Sequence, residues 1–203
     1  AHPRLNNDPD GMSKIVCEDM CWSYLRRCGL PVTMPRFGLT LACHELLDPQ
    51  GIRAERYMLK PFLARLKRMP DPGPADQEAI RKLEAEDSGE IKLVLARNPQ
   101  GRPDVEMLND PRNVAEGLPL LLEKVAAVGD VFHLMAAHPF AYDEFVKHIA
   151  KLTGRHNVEV TVSSTIHWVH SIAKARAILG YNPTRGVFEM LDEGWEIMKS
   201  RLA

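Results

Sequence analysis

The second half of the chain alternates between strand-like and helix-like segments, and this alternation restricts the possible folds more than any other feature. Apolar runs favour strands at residues 91–95, 130–135 and 158–162, and helical periods favour helices at 113–125, 142–153, 171–179 and 187–201. Such an alternation is typical of α/β proteins with a parallel sheet. Pro119 lacks an amide hydrogen and predicts a kink or a boundary in the first of these helices.

The first half begins with a predicted helix over residues 11–28, which Asp10 or Ser13 would cap and Gly29 would end. Residues 30–37 follow directly as a predicted buried strand, so helix and strand form an αβ unit. Further helices are predicted at residues 53–69 and 75–86, and the second is charged enough to lie on the surface.

Composition excludes several classes of partner. The chain has 203 residues, is 45% hydrophobic and carries a formal net charge of -1 with scattered basic residues, so we expect no nucleic-acid or anionic-membrane partner. No apolar run approaches the roughly 20 residues that span a bilayer. The sequence opens without an initiator Met in what reads as the middle of a loop, and this opening lacks the core of a signal peptide, which makes the cytoplasm the expected location.

Neither the cysteines nor the histidines predict a metal site. Cys17 and Cys21 lie one helical turn apart and are interpreted as core or interface thiols. The spacing of His167 and His170 would suit a metal only on a helix with a carboxylate nearby. His133, in an apolar strand, is interpreted as a hydrogen-bonded core histidine.

The sequence also lacks a glycine-rich turn of the Gly-x-Gly-x-x-Gly type. A dinucleotide site needs such a turn between a strand and a helix, because the backbone must approach the pyrophosphate there. The sequence therefore predicts no pyrophosphate site.

Several segments resemble those of one family, in the same order. DPDGMSK at residues 8–14 is similar to Ser-Pro-Tyr-Gly-x-Ser-Lys, and GLPVTMPRFG at 29–38 to the strand that closes a nicotinamide pocket. Further similar segments are NDPRNVAEG at 109–117, VGDVFHL at 128–134, PFAYDEF at 139–145 and AKARAILGYNP at 173–183. From residue 8 onward the chain resembles the C-terminal portion of extended short-chain dehydrogenase/reductases of the NAD-dependent epimerase/dehydratase type.

The resemblance implies a fold and a reaction. It implies the tail of a Rossmann domain over residues 1–50 and a smaller α/β substrate-binding domain over 51–203, with segments that return to the Rossmann sheet. In the intact protein it implies NAD or NADP as cofactor and a sugar or nucleotide sugar as the small-molecule substrate. Family members dimerise through the helix at residues 11–28, and its apolar surplus (Val16, Met20, Trp22, Tyr24) fits a helix that is buried on more than one side in a homodimer.

The same resemblance assigns residues to roles. Lys14 would bind the nicotinamide ribose and tune a catalytic tyrosine, and Pro35 and Phe37 would line the cofactor pocket. The candidate substrate contacts are Arg36, His44 and Arg102.

The chain departs from the family at the tyrosine itself, because residue 10 is Asp. A permanently ionised carboxylate is a weak base, so Asp10 is a doubtful catalytic group and is interpreted as a helix N-cap that accepts from Met12 or Ser13. Leu39 replaces a common Asn, Glu106 stands nearest the usual diphosphate-binding Arg, and Ser171 replaces an Asp. Two interpretations follow: an oxidoreductase, or a non-catalytic homologue that serves as a ligand-binding or dimerisation module.

Overall fold

A computed structural model describes residues 8–202, and the part of the predicted opening loop before residue 8 lies outside it. The helices and strands confirm the α/β class, and they occur in the order α1 (Pro9–Cys28), β1 (Met34–Phe37), α2 (Leu59–Lys67), α3 (Pro74–Glu86), β2 (Leu93–Arg97), β3 (Val105–Glu106), α4 (Pro111–Glu123), β4 (Val131–Leu134), β5 (Phe140–Ala141), α5 (Tyr142–Thr153), β6 (Asn157–Thr161), α6 (Ala173–Leu179) and α7 (Val187–Leu202).

The strands form three pairs. β1 pairs with β4 and β2 pairs with β6, both parallel, whereas β3 and β5 are antiparallel. The β1–β4 pairing joins segments almost 100 residues apart in sequence and places Arg36 opposite His133. The expectation of a parallel sheet is confirmed by the two longer pairs. The antiparallel pair joins two-residue strands that the sequence did not predict.

Three groups of buried apolar side chains hold these elements together. The first joins α5, α7, β2 and a 3-10 helix at Cys43–Leu47, with Phe145, Val146 and Leu46 fully buried. The second joins α2 and α3 to β2 and β6, and the third lies among α4, β4 and α6. Most of the apolar burial that stabilises the fold therefore lies after residue 40.

Helix α1 starts two residues earlier than predicted. Asp8 is its N-cap and its carboxylate accepts a hydrogen bond from the amide of Gly11 at 2.8 Å, with Pro9 in the first turn. The prediction that Asp10 or Ser13 caps the helix is wrong, because Asp8 already fills that position. The end is as predicted: Gly29 adopts φ 64°, a left-handed conformation that glycine reaches without strain.

The helix predicted at residues 53–69 is also wrong in its first part. Ala54–Arg56 is a short 3-10 helix, and α2 begins only at Leu59. Between them the backbone of Tyr57 accepts from Val94, and Leu59 donates to Lys92, so this segment pairs with the region of β2 instead of continuing a helix. A tertiary pairing overrides the local helical period.

Two further expectations need adjustment. Helix α4 continues through Pro119 to Glu123, so the proline is not a boundary. The charged helix α3 lies on the surface but also has a buried side, which includes Ala79 and Leu83. No helix among residues 8–202 is both long enough and apolar enough to cross a membrane.

Gly194 explains how α7 packs so closely against the 3-10 helix at Cys43–Leu47. A Cβ at residue 194 would lie 2.9 Å from the backbone carbonyl carbon of Cys43. Glycine costs helix stability relative to alanine, and here that cost is offset by the close approach of the two backbones.

Candidate active site

An open cavity of about 680 Å³ lies between α1 and the β1–β4 pair. One wall comes from the middle of α1, and the other comes from β1, the end of β4 and His170. The lining residues are Lys14, Cys17, Glu18, Cys21, Thr33, Met34, Pro35, Arg36, Phe37, His133, Met135 and His170. The cavity thus brings together four of the residues assigned to roles from the sequence: Lys14, Pro35, Arg36 and Phe37.

Lys14 and Asp10 lie one turn apart on α1 and form an ion pair, with 3.3 Å between Lys14 Nζ and Asp10 Oδ1. Both side chains are exposed, at 73% for Lys14 and 82% for Asp10. Lys14 lines the cavity, whereas Asp10 does not. The position at which the family has its tyrosine therefore carries a solvated carboxylate that pairs with the neighbouring ammonium.

Arg36 lies on the cavity wall but its donors are largely engaged. Its Nε and Nη2 donate to the two carboxylate oxygens of Glu18 at 2.6 and 2.7 Å, a bidentate pair that joins β1 to α1. The hydrogen bond to Glu18 raises the pKa of the Arg36 guanidinium. Arg36 accordingly fixes the position of α1 on the strand.

Pro35 and Phe37 give the cavity an apolar side. Phe37 is 47% exposed although it lies in a strand, and Pro35 is half-buried. An exposed aromatic ring and an ammonium group thus line the same cavity, and together they could hold a ligand with a flat ring next to hydroxyl groups. The described residues do not include a glycine-rich turn for the pyrophosphate.

His44 and Arg102 lie elsewhere. His44 is exposed in the 3-10 helix against α7, and Arg102 follows a turn in which its amide donates to the side-chain oxygen of Asn98 at 3.0 Å. Neither lines the cavity beside Lys14. The structure does not bring these two residues together with the other candidates.

Sequence reasoning missed His133 and His170 as members of this site. His133 is half-buried, not a core residue, and its ring approaches the backbone only at a long distance, with 3.4 Å between Nδ1 and the carbonyl oxygen of Ser171. Its ring meets that of His170 edge to face, with 5.3 Å between centroids. One signal in the sequence could have found His133. Residues 29–38 and 128–134 both resemble strands of the family, and pairing these two strands places His133 opposite Arg36.

Glu106, which stands nearest the family's usual diphosphate-binding Arg in sequence, is a buried anion. Its carboxylate pairs with Arg53 and accepts a hydrogen bond from the Tyr142 hydroxyl at 2.8 Å. Burial raises the pKa of Tyr142 well above its usual range, and the charge of Glu106 adds to that shift. The position nearest the family's diphosphate arginine is therefore an internal ion pair.

Arg53 and its neighbour Arg56 both lie over the exposed ring of Trp168, at 5.9 and 5.7 Å from the ring centroid. Arg56 also pairs with Asp104 at 3.3 Å. Within residues 8–202, no three Cys, His, Asp or Glu side chains are grouped in a way that would hold a metal ion.

Comparisons with known proteins relate the fold of this chain to solved structures. No protein-family model matches the chain. No curated protein matches it either. Among solved structures, it is similar to a short-chain dehydrogenase/reductase superfamily protein from Agrobacterium tumefaciens with bound NAD, at 29% identity and a TM-score of 0.83, covering 100% of this chain and 61% of that one.

Two more distant structures share the fold. UDP-glucuronic acid 4-epimerase from Bacillus cereus, in complex with NAD, is 16% identical with a TM-score of 0.60, and the match covers 97% of this chain and 53% of that one. RMD from Pseudomonas aeruginosa, complexed with NADPH, is 14% identical with a TM-score of 0.63, covering 97% and 58%. This chain thus spans between one half and about three fifths of the length of these proteins.

The fold is that of nicotinamide-dependent α/β enzymes. The chain has the fold of short-chain dehydrogenase/reductase superfamily structures, including epimerase-type ones, and it corresponds to their C-terminal portion, as the resemblance of its motifs predicts.

Proposed function

We propose that the intact protein to which this chain belongs is an NAD(P)-dependent oxidoreductase of the epimerase/dehydratase type that acts on a hydroxyl or ketone of a sugar. The observation that carries the proposal is the position of Lys14 on the wall of an open cavity whose other side presents Pro35 and Phe37. When bound, the cofactor would supply or accept hydride at the substrate carbon. The chain's own residues would orient its nicotinamide end.

The division of the chain is part of this proposal. Residues 1–50 would be the tail of the Rossmann domain, and 51–203 the substrate-binding domain with segments that return to the Rossmann sheet. The pairing of β1 with β4 supports the division, because a strand late in the sequence extends the sheet that β1 begins. We also place the protein in the cytoplasm.

A nucleotide sugar and a smaller sugar are the two candidate substrates. Arg36 lines the cavity, whereas His44 and Arg102 lie outside it, so only a long substrate would contact all three. The internal pairing of Glu106 with Arg53 argues for a smaller sugar without a diphosphate. A panel of free and UDP-linked sugars with NAD or NADP, followed by absorbance of the reduced cofactor, would separate these two substrates.

The central test is cofactor binding by the intact protein. Fluorescence titration with NADH should give saturable binding, and Lys14→Met should weaken it about tenfold, because a charge-assisted hydrogen bond contributes roughly 1.5 kcal/mol. Lys151→Met removes an exposed lysine from α5, remote from the cavity, and should leave the affinity unchanged. Absence of NADH binding would end the oxidoreductase proposal.

A non-catalytic homologue is the second candidate, and Asp10 favours it. Its solvated carboxylate lies outside the cavity lining and is poorly suited to exchange a substrate proton. If the parent protein is inactive on every sugar of the panel and Asp10→Tyr gains turnover, the site is a retired one. Equal turnover in both proteins would reject this candidate.

We further propose a homodimer through α1. In this helix the side chains of Met12, Val16, Met20 and Tyr24 are spaced by four residues and are each about half exposed, which is unusual for an apolar stripe on a soluble surface. Light scattering at micromolar concentration should give twice the mass of one chain. A monodisperse monomer would contradict the dimer.

A further inference from the structure

The cavity beside Lys14 carries two imidazoles and no phenol. In the described part of the chain, no tyrosine lines this cavity. The hydroxyls of Tyr57, Tyr142 and Tyr181 donate hydrogen bonds to groups in the core. His133 and His170 both line it. A substrate oxygen held there would therefore meet imidazole groups, and imidazole is the side chain most often used for proton transfer near neutral pH.

The surroundings of His133 favour its neutral form. Burial lowers the pKa of this histidine, and the nearby His170 and Arg36 lower it further, although the Ser171 carbonyl and Glu18 act in the opposite direction. Lys174, from α6, is paired with Asp130 at the start of β4. At neutral pH, then, the His133 ring holds one proton.

The backbone carbonyl nearest the His133 ring favours one tautomer. Nδ1 lies 3.4 Å from the carbonyl oxygen of Ser171, a group that can only accept, so it favours a ring protonated at Nδ1. A proton on Nδ1 leaves Nε2 as the ring's acceptor. His170 is exposed and also lines a second cavity on its other side, so it connects His133 with solvent.

We infer that His133 and His170 exchange the substrate proton in place of the missing tyrosine, with His133 at the substrate oxygen and His170 as the link to solvent. In the oxidation direction, the O–H bond of the substrate breaks and its proton goes to His133 Nε2. The hydrogen of the adjacent C–H bond leaves with its electron pair as hydride to an oxidised nicotinamide dinucleotide, and a C=O bond forms. The reverse direction returns the proton from Nε2 to the oxygen.

This inference rests on the proposed function, and chemical modification tests it without a known substrate. Diethylpyrocarbonate reacts with neutral imidazole. The full-length protein would be modified at pH 5 to 8 and then digested, and mass spectrometry of the peptides would follow each histidine separately. We expect the rate at His133 to rise with a midpoint below the ordinary pKa of a histidine. Saturating NADH, at about 100 times its Kd, should slow that reaction about tenfold or more, whereas the exposed His156 should react equally with and without NADH.

Two variants sharpen the test. His170→Gln removes a neighbour that lowers the pKa of His133 and should raise the modification midpoint of His133. On any sugar oxidised in the panel, His133→Gln should lower kcat by about 10²-fold to 10⁴-fold.

The outcomes separate the two proposals. If NADH binds but leaves the modification of His133 unchanged, or if His133→Gln keeps the parent kcat, the inference that His133 and His170 exchange the substrate proton is wrong. The oxidoreductase proposal then still stands. If NADH does not bind, both fail.

Discussion

Helices α1 and α5 differ in what holds them to the protein. The 12 residues of α5 include four buried ones, Tyr142, Phe145, Val146 and Ile149. The 20 residues of α1 include none. Length and good capping therefore do not decide how firmly a helix is held; the apolar area that it buries does.

The consequence is that the candidate active site is built on a weakly held element. Helix α1 contacts the rest of the chain through the Glu18–Arg36 pair and through Leu25 and Trp22, which approach Gly129. Regions with little apolar burial open at low free energy. We expect the half of the site that carries Lys14 to be the more mobile one in this chain.

The largest expected difference comes from truncating one apolar side chain in each helix. Phe145→Ala should cost about 3–5 kcal/mol of unfolding free energy, because Phe145 is fully buried. Met20→Ala, at a side chain that is 54% exposed in the single chain, should change the unfolding free energy of the monomer, measured on protein dilute enough to dissociate any dimer, by less than about 0.5 kcal/mol. Urea denaturation measures both, and similar costs for the two variants would refute the contrast between the helices.

Removing the partner of a buried charge should come next. Arg53→Met leaves the carboxylate of Glu106 buried with only the Tyr142 hydroxyl and should cost about 3 kcal/mol. The double variant Arg53→Met/Glu106→Met should recover much of that loss, since no uncompensated charge remains. Denaturation curves in which the double variant is the weaker protein would count against this account of the pair.

A smaller loss is expected at the contact between α7 and the 3-10 helix. Alanine normally stabilises a helix relative to glycine, but Gly194→Ala would press a methyl group against the Cys43 backbone and should cost about 1–3 kcal/mol. Glu196→Ala, at an exposed position of the same helix, serves as control and should change stability by less than about 0.5 kcal/mol. A more stable Gly194→Ala protein would show that the two backbones do not approach each other this closely.

The smallest global effect should come from the pair that fastens α1. Glu18→Gln should lower the unfolding free energy by no more than about 1 kcal/mol, as for other partly exposed ion pairs. Amide hydrogens of α1 should nonetheless exchange about fivefold faster, with those of α5 unaffected. Unchanged exchange in α1 would mean that Arg36 does not fasten the helix.

The sequence predicts helices best where a local period and core packing agree. Helix α5 begins and ends at the residues predicted for it, because its apolar period faces a core on one side. The prediction failed at residues 53–58, where the backbone of Tyr57 and Leu59 pairs with the β2 region. It also missed β3 and β5, since two residues are too few to show a period.

The site was predictable only in part. The motifs single out Lys14, Pro35 and Phe37. In the structure these three residues line one cavity, because only a short connection separates α1 from β1. His133 reaches the cavity because β4 pairs with β1, and His170 reaches it from a loop. No local sequence pattern predicts either placement. Asp8 caps α1 and Asp10 does not, because the helix begins at Pro9 and Asp10 lies inside its first turn.

The most direct test of the central claim is where the nicotinamide ring lies in the intact protein. With NADH bound and phenylalanine isotopically labelled, nuclear Overhauser effects should connect the nicotinamide ring protons with the ring of Phe37, and Phe37→Leu should remove them. Bound NADH with no such effect at Phe37 would contradict the claim that this cavity receives the reactive end of the cofactor.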